Sequence, residues 1–252
     1  MNIHRFVVKN LTFDLLEQNH EILIEDEKVV WQIRKVLRLN NGALFKIFNG
    51  QGCEILAKIM KLDKKSLVAQ VLSKEIFACP KPLIVGMPMI RMSRFEWAIE
   101  KLSEFGVTQI YPVILAYSQI DTSYSSQKWK RFNEICREAT EQSGGIYLPK
   151  IYEPRELISF LEINTSINND WGKYILDTNN KTPNMVNVLY NHGGNLGNGN
   201  IILVGSEGGF TVNELKLAHK HGFRAVGLGS RTLRVETAII SAVAFLKIFS
   251  QM

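Results

Sequence analysis

Cysteine is scarce in this chain of 252 residues: Cys53, Cys79 and Cys136 are far apart and form no CxxC pair. A disulfide framework and a cysteine zinc site are thereby excluded, and reduced thiols are expected. Long apolar runs are missing too. The longest, residues 238–246, is interrupted by Ser241 and falls short of the roughly 20 residues a membrane span needs. The first residues, Met1 to Phe6, contain no apolar core of a signal peptide, so a soluble, cytoplasmic protein is expected. No Gly-Lys-Ser/Thr phosphate loop and no dinucleotide-type glycine spacing occur. None of the five histidines sits in a motif. His219 and His221 are two apart on an expected helix and so on different faces, which disfavours joint metal binding. No metal is expected. Acids are also in deficit, 24 against 30 Lys and Arg, for a net charge of +6. That surplus favours polyanionic partners without proving one. With 46% hydrophobic residues, a buried core is available along most of the chain.

The first 75 residues read as β-rich. A helix is expected from Asp26 to Leu37. Residues 43–48 run into Asn49-Gly50, a strong hairpin signal because both turn positions tolerate positive φ. Strands then follow over residues 53–60 and 66–72, suggesting a small barrel. Residues 78–82, with Pro80 and Pro82, mark a boundary. Beyond it strands and helices alternate: strands at 83–86, 109–113, 174–177, 201–204 and 225–228, helices at 94–105, 127–143, 212–221 and 236–249. The polar, glycine-rich stretch 179–200 fits no element. Alternation of this kind predicts an α/β domain with a mostly parallel sheet. The expected domains are 1–75 and 80–252.

Two segments carry chemistry. In Leu203-Val204-Gly205-Ser206-Glu207-Gly208-Gly209-Phe210-Thr211 a buried strand enters a three-glycine loop, then a helix opened by a Thr211–Glu214 capping box. Ligands of open α/β sheets bind at the carboxyl ends of strands, and glycines there admit a close backbone approach. Glu207 argues against a phosphate and tolerates a cationic ligand such as a sulfonium. In Leu228-Gly229-Ser230-Arg231-Thr232-Leu233-Arg234-Val235-Glu236-Thr237-Ala238 a second strand ends in glycine before a helix. Taken singly, the first segment reads equally as an ordinary strand-to-helix turn, and Glu236 could simply favour a helix start.

Together, GSEGG and LGSRTLRVETA resemble the S-adenosylmethionine-binding motifs of SPOUT (trefoil-knot) methyltransferases, and most closely those of the RsmE family, which methylates N3 of a uridine in 16S ribosomal RNA. Agreeing segments run along nearly the whole chain: His4-Arg5-Phe6, Lys35-Val36-Leu37-Arg38, Phe48-Asn49-Gly50-Gln51-Gly52, Glu100 to Val107, and Glu138 to Ser143 with Leu148-Pro149.

The resemblance implies an N-terminal PUA-like RNA-binding β-barrel, a C-terminal knotted α/β domain, and a homodimer acting on the small ribosomal subunit. It also implies a site. Leu203, Gly205, Glu207, Gly208, Gly209, Leu228, Gly229, Leu233 and Thr237 would hold S-adenosylmethionine. Arg234 would stabilise the uridine anion or anchor a phosphate, with Glu236 fixing the loop. Arg5, Arg34, Lys35 and Arg38 would contact RNA, as would a second basic group, Lys128, Lys130, Arg131 and Arg137. Three positions depart from the family pattern. Ser206 stands for a proline, and Tyr117 and Gly145 stand where arginines are usual. A related methyltransferase acting on another rRNA or tRNA site, or a non-catalytic RNA-binding or ribosome-assembly protein, are the competing readings.

Overall fold

The computed structural model describes residues 3–9, 11–118, 126–165, 170–179, 181–191 and 197–249. The chain divides into two compact units: residues 1–80 with 140–148, and residues 81–139 with 149–252.

The first unit is a five-stranded half-barrel. Its strands are β1 (Arg5–Val7), β2 (Glu21–Ile24), β3 (Leu44–Phe48), β4 (Cys53–Leu62) and β5 (Leu67–Ile76), in the order β1-β3-β4-β5-β2. The β1–β3 pair is parallel and the rest antiparallel. Bulges in the β4–β5 ladder, at Leu56/Ala57 and Ile59/Lys61, bend the long hairpin. Helix α1 (Glu27–Trp31) is capped by Asp26, whose carboxylate accepts from the N–H groups of Lys28 and Val29, and widens into a π-type turn over Gln32–Val36. Val29, Val30 and Ile33 fill the barrel against Phe45, Ile47 and Ile55. Inside this unit Glu54 is 4% exposed and is held by Arg5 at 2.7 Å and Lys46 at 2.6 Å. The Glu141 carboxylate accepts from the Val7 N–H at 2.8 Å, so the segment 140–148 caps β1.

The second unit is a parallel sheet covered on both faces. Its elements are β6 (Leu83–Pro88), α2 (Met92–Glu104), β7 (Gln109–Ile114), α3 (Ser126–Ser143, its last turn counted with the first unit), β8 (Lys150–Ile151), β9 (Arg155–Glu156), α4 (Leu157–Thr165), β10 (Gly172–Leu176), α5 (Met185–Asn191), β11 (Asn200–Leu203), α6 (Val212–Lys220), β12 (Arg224–Val226) and α7 (Val235–Phe249). Strand order is β12-β10-β11-β6-β7-β8, with β9 also on β7.

Side-chain alternation sorts each strand into two cores. Val85, Met87, Ile202 and Val204 face α2, α5 and α7; Ile84, Ile201 and Leu203 face α4 and α6. Gly86 has no side chain because Phe160 and Leu203 occupy that space: an added Cβ would lie 2.7 Å and 2.9 Å from them.

Beyond β12 the chain runs tight against the loop that follows β10. The Gly227 N–H donates to the Pro183 carbonyl at 2.9 Å, and the Gly227 carbonyl accepts from Met185 N–H at 2.8 Å. The chain then enters α7, which packs on α2, α5, β6 and β11.

Six elements lie outside the expectations: β1, β2, β8, β9, α4 and α5. Each is short, or lies in sequence with weak periodicity. α5 falls in the stretch that fitted no element.

Candidate functional site

Strands β12, β10 and β11 are neighbours and end together, so the segments following them meet. A cavity of about 660 Å³ opens there. Residues 176–178 at the end of β10, 204–210 after β11 and 228–234 after β12 line it, with Val235 and Ala238 of α7 and Arg94 of α2.

The first glycine loop is a closed turn. Gly209 N–H donates to the Ser206 carbonyl at 2.9 Å, and the Ser206 hydroxyl donates to the Gly209 carbonyl at 3.1 Å. Ser206 therefore ties the turn with a side-chain bond where the family pattern has a rigid proline. Gly209 has φ +74, and a Cβ on Gly205 would lie 3.0 Å from the Gly209 carbonyl carbon and 3.1 Å from the Phe210 ring, so bulkier residues would push the loop. The capping box then starts α6. Its Glu214 carboxylate accepts from Thr211 N–H at 2.7 Å and also from Ala116 N–H at 2.8 Å. That second bond fastens the turn after β7, and Tyr117 on that turn lies against Gly208, whose Cβ would be 3.1 Å from the tyrosine Cβ.

In the second loop Gly229 has φ +119, and an added Cβ would meet nothing within 4 Å. Its backbone is thus shaped for glycine while its open side faces space. The backbone N–H groups of Leu228, Gly229 and Leu233 have no partner among the described residues, so they stand as donors at the cavity wall.

Of the residues singled out for the cofactor, Gly205, Glu207, Gly208, Gly209, Leu228, Gly229 and Leu233 are brought together around this cavity, with Arg234. Two are placed elsewhere. Leu203 is fully buried in the opposite core against Phe160, because strand alternation gives the cavity side to Val204 instead. Thr237 is exposed in the first turn of α7; Val235 and Ala238, three apart, supply the face toward the cavity. Glu236 is 7% exposed and lies behind the wall, 3.6 Å from Arg94 Nε.

The sequence reading passed over two residues. Arg94 joins Glu207 at 3.1 Å and Glu236 at 3.6 Å, linking the first glycine loop to the start of α7. A signal for it existed. Arg91 and Arg94 occupy the N-terminal turn of α2, where cations oppose the helix dipole and call for a compensating acid. Asp177 also lines the cavity; its carboxylate accepts from the Thr182 hydroxyl at 2.8 Å and Asn179 N–H at 3.3 Å.

In the first unit Arg34, Lys35 and Arg38 gather on and after the π-type turn beside Trp31, which is 58% exposed. Arg5 is not with them. Its guanidinium binds Glu54, donates to the Gly145 carbonyl at 3.0 Å and covers the Phe48 ring. It is withdrawn from the RNA-contact set, since leaving those bonds would strand a buried carboxylate.

A family model described as an RNA methyltransferase domain matches residues 78–247, and one described as an RNA methyltransferase PUA domain matches residues 28–72. The ribosomal RNA small subunit methyltransferase E of Rickettsia conorii is 30% identical over 234 residues, covering 91% of this chain and 90% of that protein. The chain belongs to the ribosomal RNA small subunit methyltransferase E family. A second member, from Treponema pallidum, is 32% identical over 84% of this chain and 79% of its own length. The crystal structure of the Neisseria gonorrhoeae family member, bound to S-adenosyl methionine, superposes with a TM-score of 0.84 at 25% identity and covers 98% of each chain. A Legionella pneumophila methyltransferase at 24% identity shares the fold, with a TM-score of 0.82. In this family's terms the second unit is the trefoil-knotted SPOUT domain, and the first unit contains the PUA domain.

Proposed function

We propose that this protein transfers a methyl group from S-adenosylmethionine to N3 of a uridine in 16S ribosomal RNA of the small subunit. The observation that carries the reading is the cavity where the two glycine loops converge, with unpartnered backbone donors on its wall. A ligand with an adenine edge, ribose hydroxyls and a carboxylate suits such a wall. Gly229 leaves open space where a side chain would stand, and Gly205 lets the first loop close on itself against Phe210, which is the fit expected of a site gripping its ligand through backbone. When bound, S-adenosylmethionine supplies an electrophilic methyl group.

The residues of the chain do the rest by placement and charge. Uridine N3 is a good nucleophile only as its proton leaves, so the developing anion must be stabilised. Arg234 lines the cavity, is exposed, and makes no ion pair among the described residues; it faces that anion or an adjoining phosphate. Among the described residues no histidine lines the cavity, and the N3 proton passes to water. Glu236 acts through Arg94, holding the two loops in register. Arg34, Lys35 and Arg38 meet RNA phosphates, with Trp31 offering a face for a base. These contacts make binding weaken steeply with salt. The protein works as a homodimer in the cytoplasm; among the described residues no helix is long and apolar enough to cross a membrane.

The test uses small ribosomal subunits from a strain lacking the modification, radiolabelled S-adenosylmethionine and nucleoside mass spectrometry. Labelled 3-methyluridine in 16S rRNA is the expected result, and Arg234→Ala is expected to abolish it. Label in a different nucleoside or RNA would move the substrate, and cofactor binding with no transfer to any RNA would favour a ribosome-assembly role.

A further inference from the structure

We infer that Asp177 is the counter-charge for the cationic end of the bound cofactor, an inference that rests on the S-adenosylmethionine reading above. The first ground is position. β10 is the middle strand of β12-β10-β11, and Asp177 is the first residue beyond it. It therefore lies between the two glycine loops, on the cavity wall, and its own N–H is tied to the Val226 carbonyl of β12 at 3.0 Å.

The second ground is charge. The ionisable groups lining the cavity are Arg94, Asp177, Glu207, Arg231 and Arg234. Arg94 and Glu207 answer each other at 3.1 Å. That leaves two arginines and one acid without an ion-pair partner among the described residues. S-adenosylmethionine brings a sulfonium, an α-ammonium and one carboxylate. The free arginines suit the carboxylate and repel both cationic groups, so a cavity with Asp177 neutralised would oppose its ligand.

The third ground is preorganisation. The Thr182 hydroxyl binds one carboxylate oxygen and the Asn179 N–H the other. A carboxylate has about four lone-pair sites, so this one is fixed in place with acceptor capacity to spare. Each partner is a neutral donor, and the carboxylate has no ion-pair partner among the described residues.

Two cationic groups of the ligand share this chemistry, and S-adenosylhomocysteine separates them. It keeps the adenosine, ammonium and carboxylate but has a neutral thioether. Calorimetric affinities of the full chain for both compounds are compared between the native protein and Asp177→Asn, which keeps the size and an acceptor oxygen. S-adenosylmethionine is expected to bind on the order of tenfold more weakly to the variant. Loss confined to S-adenosylmethionine places the sulfonium beside Asp177; equal loss for both compounds places the ammonium there. Unchanged affinity for both overturns the inference and leaves the cofactor reading standing. Native protein that binds neither compound overturns both. Thr182→Val, which keeps the charge and frees the carboxylate's rotamer, is measured alongside and serves if the asparagine variant does not fold. It is expected to weaken S-adenosylmethionine binding only a few-fold, with the native melting profile retained, and no weakening there would count against a held carboxylate.

Discussion

Arg94 serves two carboxylates that differ in depth, and the difference decides what its loss costs. The Glu207 side chain is 64% exposed and the Glu236 side chain 9%. An exposed pair contributes little stability, whereas a buried carboxylate deprived of its cation costs about 3–5 kcal/mol. Arg94→Ala is therefore expected to lower the melting temperature by about 2–4 °C per kcal/mol lost, chiefly through Glu236. It is also expected to weaken cofactor binding, through the release of Glu207 and its loop. Arg94→Lys, with a single ammonium in place of the guanidinium fork, should recover the charge but hold only one carboxylate well. Melting curves paired with calorimetry separate the two effects, and a native melting temperature in Arg94→Ala would mean that Glu236 needs no partner. Leu203 teaches the complementary lesson about reading residues. Its place in the motif pointed to the cofactor, but the two-residue period of a strand hands every second side chain to the other core.

Among the elements, α6 shows how one cap supports two loops. Thr211→Ala removes a capping hydroxyl, a loss of about 1 kcal/mol. Glu214→Ala removes the reciprocal cap and also the acceptor of Ala116 N–H. Denaturant melts should place Glu214→Ala below Thr211→Ala, by a few tenths of a kcal/mol because the Ala116 bond is exposed to water. Equal stabilities would show that the turn carrying Tyr117 holds itself. The capping box, the Asn49-Gly50 hairpin, the amphipathic helices α2 and α3 and both glycine loops could all be read from the sequence, because each is written in local residue chemistry. The two-residue strands β8 and β9 could not, since pairing with β7 makes them strands and two residues carry no period. Nor could the withdrawal of Arg5, which depends on Glu54 and Gly145, partners 49 and 140 residues away. The cation of Arg5 was visible, but its use inside the fold was not.

For the molecule as a whole, alkaline pH is a weak flank. Burial first, and the neighbouring Tyr152 hydroxyl second, raise the Tyr111 phenol far above its ordinary value of 10.0. Burial raises Tyr174 as well. A phenol whose pKa is raised by folding ionises first in the unfolded chain, so the unfolded state binds fewer protons above pH 10 and stability falls there. Lys173 and Lys247 are lowered from 10.5 by burial, so the unfolded chain holds more protons below pH 10.5 and stability rises with pH there, ahead of most of the tyrosine range. The larger tyrosine shift is expected to dominate, with thermal stability declining from about pH 10 upward. Tyr111→Phe should shallow that decline, and an unaltered profile in this variant would assign it to other groups.

The pairing of Gly227 with Pro183 and Met185 has a consequence for biosynthesis. A chain still emerging from its ribosome acquires β10, β11 and the first glycine loop well before residue 227, yet the second wall of the cavity and the brace from Glu236 to Arg94 come only with the final stretch. No half-made version of the pocket is therefore competent, and occupancy by ligand becomes an all-or-none certificate that the last segment has been drawn into place. A chain clipped ahead of α7 is expected to lose the ligand outright, not by degrees, even where the rest of its sheet survives.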